Sequence, residues 1–351
     1  MNLNFFEFLR ALVENPILFV ITLLIGGVIF ANGCTDVPNS ISTCVATRSM
    51  SPKKALIMAA ICNALGVFLI KAVGSNVADT VYSIVNFGDN SYHALVALCA
   101  ALFAIVIWSF ITWFFGIPTS QSHSLVAGLT GAAVAINGGF NGVSLDAWKK
   151  VILGLVISTI FGFVFGFLIT KLIRFLFKNV DRRRTKPIFK IGLILGDSLQ
   201  AFFNSLQDGQ KFIAVFLMGL MLTNGVTDGD IPEIPIWTMI FCSTIMTLGT
   251  AIAGNRIIKS VGMKIAKMET YQGTSSDIAA SICLLGSTLT GLPVSTNQTK
   301  TTAIMGVGAA NRVSSVDWSI AKNMILAWVI TFPSAGLLGF IMTKLFIVFF
   351  G

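Results

Sequence analysis

The chain has 351 residues, of which 55% are apolar and only 11% charged, against about 25% charged in an ordinary soluble domain. With a mean hydropathy of +0.84, this composition excludes disorder, coiled coil and nucleic-acid binding, and predicts an all-α polytopic protein embedded in a lipid bilayer. The net charge of +9 sits in short basic runs between apolar segments, the pattern of cytoplasmic loops rather than of a nucleic-acid surface.

The N-terminal stretch 1–15 reads as a short amphipathic lead-in, without the basic n-region and cleavage site of a signal peptide. An apolar run over 16–31 meets the polar stretch NGCTDVPNS at 32–40, read as a break, and resumes to residue 50. Spans follow over 55–73 and 93–115. The stretch GIPTSQSHS at 116–124 breaks the chain again, ahead of a small-residue run and a long span over 147–177. A charged linker begins at 178. The second half has an apolar run over 189–203, a break NSLQDGQK at 204–211, a resumption to 222 and a span over 235–258. A basic stretch over 255–269, an apolar run to 289, a break GLPVSTNQT at 291–299, a small-residue run to 310 and a last span over 318–350 complete the chain. The six cysteines lie in or beside apolar stretches and read as small buried hydrophobes, not as disulfides.

The halves echo each other. Asp36 and Asp208 stand 172 residues apart, Pro118 and Pro293 stand 175 apart, and each pair lies in corresponding breaks. This predicts a duplication: a first membrane repeat over 1–177, a basic cytoplasmic linker over 178–190 and a second repeat over 191–351. Interrupted apolar segments at matching places in two halves are the sequence pointer to a secondary transporter. The groups Arg48/Lys53/Lys54, Arg182–Arg184 and Arg256–Lys267 belong inside. Loops 74–92 and 223–234 carry Asp79, Asp89, Asp228, Asp230 and Glu233 without Lys or Arg, and belong outside. The repeats are then antiparallel, that is, of inverted topology, with broken helices and with re-entrant hairpins near 93–137 and 274–310.

Non-helical backbone survives at membrane depth only where it is buried or lines a wet cavity. Each break creates helix ends whose free N–H groups favour anions and whose free carbonyls favour cations. Asp carboxylates add hard oxygen ligands for a small cation. Blander readings stand beside these. A lone Asp caps helices, Ser/Thr clusters glue helices together, Lys211 pairs with an acidic group or snorkels, and His123 acts as a hydrogen-bonding residue. No Ser-His-Asp arrangement, His-rich metal motif or cofactor loop argues for an enzyme. A passive anion channel is the alternative of another class.

The segments 33–50, 116–137, 204–222 and 291–310 resemble the inorganic phosphate transporter family, which moves phosphate with sodium or protons. Of its duplicated Gly-Ala-Asn-Asp signature the chain keeps Gly33, Asp36, Val37, Asn39 and Ser40, then Asp208, Gln210 and Lys211. Of its duplicated Pro-Val-Ser-Thr-Thr-His signature it keeps Pro118, Ser120, His123, Pro293, Val294, Ser295 and Thr296. It departs at Thr35 and Gln207 (Asn in the family), Pro38 (Ala), Asn63 and Asp277 (Glu), and Gln298 (His). The resemblance implies a symporter of inorganic phosphate coupled to sodium in the cell membrane, with proton coupling or sulfate as the alternatives. Thr35, Ser40, Ser120, Gln121, Ser122, Gln207, Ser295, Thr296 and Asn297 are expected to hold the anion. Asp36, Asn39, Asp208 and Asp277 are expected to hold sodium. A homodimer is the expected assembly.

Overall fold

The computed structural model describes residues 4–115, 119–227, 231–261 and 268–350. Pro118, Asp228, Asp230 and the basic residues of Arg256–Lys267 fall wholly or in their side chains outside the described parts.

The first half comprises α1 (Phe5–Glu14), α2 (Pro16–Ser40), α3 (Ser42–Ala46), α4 (Pro52–Phe68), α5 (Ile70–Val73), α6 (Asn76–Tyr82), α7 (Ser91–Phe115), α8 (Gln121–Asn137) and α9 (Leu145–Leu176). The second comprises α10 (Arg182–Thr223), α11 (Ile236–Val261), α12 (Thr270–Leu289), α13 (Thr296–Asn311) and α14 (Trp318–Phe350). Among the described residues, five stretches are long and apolar enough to cross a bilayer: α2, the α4–α5 stretch, α7, α9 and the Ala321–Phe350 part of α14. Their outward faces carry exposed Ile, Leu, Val and Phe, as at Ile152, Val156, Leu168, Ile330 and Leu345. In water such faces would be an aggregation hazard; against lipid they are the ordinary surface. The inner face of α9 is instead a stripe of small residues, Gly154, Ser158, Gly162, Gly166 and Thr170, at helical spacing. Without a hydrophobic drive between helices in lipid, such stripes let backbones close on each other.

The close approaches come in matched pairs. α2 packs on α11 as α10 packs on α4, and α8 packs on α14 as α13 packs on α9. A Cβ on Gly131 would collide with the Gly336 carbonyl, and one on Gly306, 175 residues later, with the Phe163 carbonyl. Each half's paired helices thus rest on the long last helix of the other half: α7 and α8 on α14, α12 and α13 on α9.

Two expectations about breaks are corrected. The stretches 32–40 and 204–211 are helical: α2 runs without interruption to Ser40 and α10 through Asp208 to Thr223. α2 yields only at Ile41, after Pro38 has ended the pattern of backbone donors. The polar residues in these stretches repeat at helical spacing, Asn32/Asp36/Asn39 and Asn204/Asp208/Lys211, and face protein rather than interrupting the helix. The other two breaks are present in part: Ser120 and Ser295 are extended N-caps, but helix begins at Gln121 and Thr296, so 121–124 and 296–299 are helical, and 116–118 lie outside the described residues. α10 starts at Arg182, so most of the stretch read as a linker is its first turns. The lead-in α1 is amphipathic as read: Phe8 is buried, stacked 4.5 Å from Trp237, while Glu7, Arg10 and Glu14 are exposed.

Candidate functional site: a buried centre where two helix N-termini meet

Ser120 and Ser295 leave the helical region and turn a side-chain oxygen back to the amide of His123 and Gln298, so each starts a helix cleanly. These two starts meet. Ser122, in the first turn of α8, lies with its hydroxyl 3.4 Å from the Val294 carbonyl just ahead of α13. Lys211 of α10 fills the junction. Its ammonium donates to Ser122 Oγ at 2.7 Å, to the Val294 carbonyl at 2.6 Å and to Asp208 Oδ1 at 2.7 Å. All three ammonium protons are thereby placed. Lys211 and Asp208 are both 1% exposed, so the pair is dry. Lys211 therefore neither snorkels nor stands free; it pairs with the carboxylate one turn back on its own helix.

The far oxygen of Asp208 accepts from Thr296 Oγ1 and from Asn32 Nδ2, each at 3.3 Å. Through Asn32 the α10 centre is tied to α2. On α2, Asp36 Oδ1 accepts from Thr35 Oγ1 at 2.7 Å and from Asn297 Nδ2 at 2.8 Å, and Asn297 Oδ1 accepts from Asn39 at 2.8 Å. Asp36, Asp208, Thr296 and Asn297 thus stand in one network across α2, α10 and α13. Neither Asp is a helix cap, because both lie inside their helices.

The network has a conspicuous deficit. Asp36 Oδ2, Asn32 Oδ1 and Asn39 Oδ1 are buried and have no hydrogen-bond partner among the described residues. They belong to positions i, i+4 and i+7 of one helix, which share a face. Unmet buried oxygens are costly, about 1–3 kcal/mol each for a neutral group and more for a carboxylate. Two carboxylates with one ammonium also leave this centre one negative charge in excess. Hard oxygens in charge excess are the donor set of a small hard cation.

The other expected anion contacts are more occupied. Ser40 donates to the Val37 carbonyl at 2.7 Å, and Thr35 to the Ala31 carbonyl at 2.9 Å as well as to Asp36. Gln207 donates to the Leu292 carbonyl and accepts from Thr288, and Gln121 accepts from Ser109. Of these, Gln207 holds the stretch ahead of α13, and Gln121 ties the first turn of α8 to α7. Open donors in the first turns of α8 and α13 are instead backbone N–H groups, which have no intrahelical acceptor. Asp277 is not in this centre: it pairs with Lys300 in a second cluster. His123 stacks on Phe332 at 4.7 Å and is 3% exposed, and neither ring nitrogen has a hydrogen-bond partner among the described residues, so the side chain is packed rather than hydrogen-bonded. Asn32 and Lys300 carry parts of these clusters that reading by breaks passed over; helical spacing and a lone basic residue in a small-residue run were the available signals.

The family model described as the phosphate transporter family matches residues 32–183 and 177–339. A Bacillus subtilis protein described as "Probable low-affinity inorganic phosphate transporter" is 36% identical over 310 residues, 88% of this chain and 91% of that protein. A Rhizobium meliloti protein of the same description is 35% identical, over 88% and 90% of the two chains. A solved structure described as the sodium-dependent phosphate transporter has the same fold, with a TM-score of 0.87 at 21% identity, over 95% of this chain and 100% of that one. The chain, a multi-pass all-α membrane protein, belongs to the phosphate transporter family.

Proposed function

We propose that this protein is a symporter that carries inorganic phosphate together with sodium. The observation that supports it most is the junction of the α8 and α13 N-termini over Lys211. Two helix starts supply converging N–H groups and the positive ends of two dipoles, the arrangement that receives a tetrahedral oxyanion. Ser120, Ser122, Ser295, Thr296 and Asn297 lie in these turns and frame the anion. Gln121 and Gln207 hold the frame in place, and Thr35 holds Asp36.

A phosphate taken out of water needs counter-charge, since burial of an uncompensated ion costs several kcal/mol. Lys211 cannot supply it alone, because Asp208 already claims it. Sodium seated at Asp36 with Asn39 and Asn32 neutralises the excess carboxylate and brings positive charge beside the anion. Neither ligand then enters favourably without the other, which is the physical content of symport. The paired contacts of the two halves fit inverted repeats that rock against one another about this centre, opening it to one side at a time.

Two measurements test the reading. Protein reconstituted in liposomes is expected to accumulate radiolabelled phosphate, with arsenate competing and sulfate not; accumulation of sulfate in preference to phosphate would reassign the substrate. For orientation, a cysteine at Arg183 is expected to react with an impermeant maleimide only from the cytoplasm, and one at Glu233 only from outside. Both residues are exposed. Labelling of both from one side would remove the inverted repeat.

A further inference from the structure

Outside the centre described above, a second buried cluster surrounds Lys300 of α13. Its ammonium donates to Asp277 Oδ1, to Gln200 Oε1 at 2.5 Å, and to the Ser40 carbonyl and Thr43 Oγ1 at 3.3 Å each. Asp197 Oδ1 lies 3.5 Å away. Thr43 bridges the carboxylates, donating to Asp197 Oδ1 at 2.5 Å with Asp277 Oδ1 at 3.1 Å, and the Cys44 amide holds the other Asp197 oxygen at 2.9 Å. Lys300, Asp197 and Asp277 are all at most 1% exposed. A carbonyl, a hydroxyl, an amide oxygen and two carboxylates around one positive charge are the ligands a hard monovalent cation takes.

Its place in the fold is specific. On α13, Lys300 is one turn beyond Thr296, which touches Asp208. On the α2–α3 stretch, Thr43 is one turn beyond Asn39, and Thr47 one turn further lines a cavity of about 740 Å³ with Arg174, Lys178 and Lys186. The cluster therefore stands between the centre and this basic, inner-side cavity. It is also absent from the duplicated scaffold. At the same offsets of 172 and 175, the counterparts of Asp197, Gln200, Asp277, Lys300 and Thr43 are Ile25, Val28, Leu102, Leu125 and Val215. All five are buried in the main apolar core. The architecture closes the same place in the other half with hydrocarbon, so it does not require charge here.

We propose that Lys300 is a tethered cation. Its ammonium fills, from within the chain, an oxygen cage that would otherwise take a mobile monovalent cation, and it binds the inner end of α2 to α10 and α12. Resting on the transport reading, the consequence is that this cage contributes no ion to the coupled step. The titratable groups facing the ammonium are Asp197 on α10, Asp277 on α12 and Cys44 on α3. α9, packed on α12 and α13, presents Ser158, Gly162 and Gly166 there, with no charge.

The test uses purified full-length protein in detergent, with Asp36→Asn as the common background so that the first centre does not answer to sodium. Adding Lys300→Ala leaves two carboxylates without their ammonium, and a lower apparent Tm is expected. Sodium chloride, against choline chloride at equal ionic strength, should then raise that Tm by about 2–4 °C. The background variant should show no such response. A deficit that sodium does not recover is a loss of hydrogen bonds alone and overturns the proposal. Should the Lys300→Ala protein fail to fold, adding Asp277→Asn restores the native net charge of the cluster. Recovery of a monodisperse protein supports the tethered cation, and continued failure overturns it. No readout uses transport, so a negative result here leaves the phosphate reading standing, while absence of phosphate uptake by the native protein would do the reverse.

Discussion

Asp36→Asn is expected to raise the sodium concentration for half-maximal phosphate uptake at least tenfold, or to abolish uptake, while the protein still folds and inserts. The structural reason for intact folding is that an amide oxygen can accept from Thr35 Oγ1 and Asn297 Nδ2 as Oδ1 does now. The unpartnered Oδ2 is the atom whose chemistry changes. A carboxylate becomes a neutral amide, and the charge that calls for a cation is gone. Tenfold corresponds to about 1.4 kcal/mol, small beside the interaction of a buried carboxylate with a bound monovalent ion. The measurement is initial uptake across sodium concentrations, after a normal size-exclusion profile. Native sodium dependence in the variant would take Asp36 out of the cation site. Dependence on pH with none on sodium would keep the site and make the ion a proton.

Lys211→Met is expected to have the largest effect on stability. It strips the ammonium from Asp208 in a dry site and leaves Ser122 Oγ and the Val294 carbonyl without their donor. Removing one partner of a buried pair typically costs about 3–5 kcal/mol, because the remaining charge is uncompensated. Adding Asp208→Asn removes that charge, and the double variant should recover much of the lost stability without recovering transport. The readout is a double-mutant cycle on thermal unfolding with uptake measured in parallel. Additive losses would mean that the two residues do not act as a pair. Recovered transport would mean that the ammonium is not needed where the two helix starts meet.

Much of this architecture was legible in the sequence, for reasons that differ by segment. Composition placed the chain in a bilayer, because a chain with only 11% charged residues cannot present a solvated surface on every side. The breaks before Gln121 and Thr296 were legible because Pro, Gly and a capping Ser stand together there, and each acts on backbone geometry. The stretches 32–40 and 204–211 were misread as breaks because polarity was equated with loss of helix. Polar residues at i, i+4 and i+7 are compatible with a helix whose polar face meets another polar face, and α2 and α10 do so through Asn32 and Asp208. Asp36 and Asp208 were singled out by their matching places in the two halves, and they stand in one network through Asn32, Thr296 and Asn297. What no single-helix pattern carries is which lysine meets which carboxylate. Lys211 and Asp208 are three residues apart and adjacent on a helix. Lys300 reaches Asp277 and Asp197 only through the packing of α13 on α10 and α12. Asp197 was passed over inside an apolar run, although a lone carboxylate in such a run demands a partner.

The most direct test of sodium–phosphate symport runs the coupling backwards. Liposomes holding the protein, with equal sodium and equal pH on both sides, are given an inward phosphate gradient, and uptake of tracer sodium is followed with the membrane potential clamped. Sodium is expected to accumulate inside above its outside concentration for as long as the phosphate gradient lasts, and Asp36→Asn is expected to remove that accumulation. Phosphate entry without sodium movement, with or without a change of internal pH, would contradict the account.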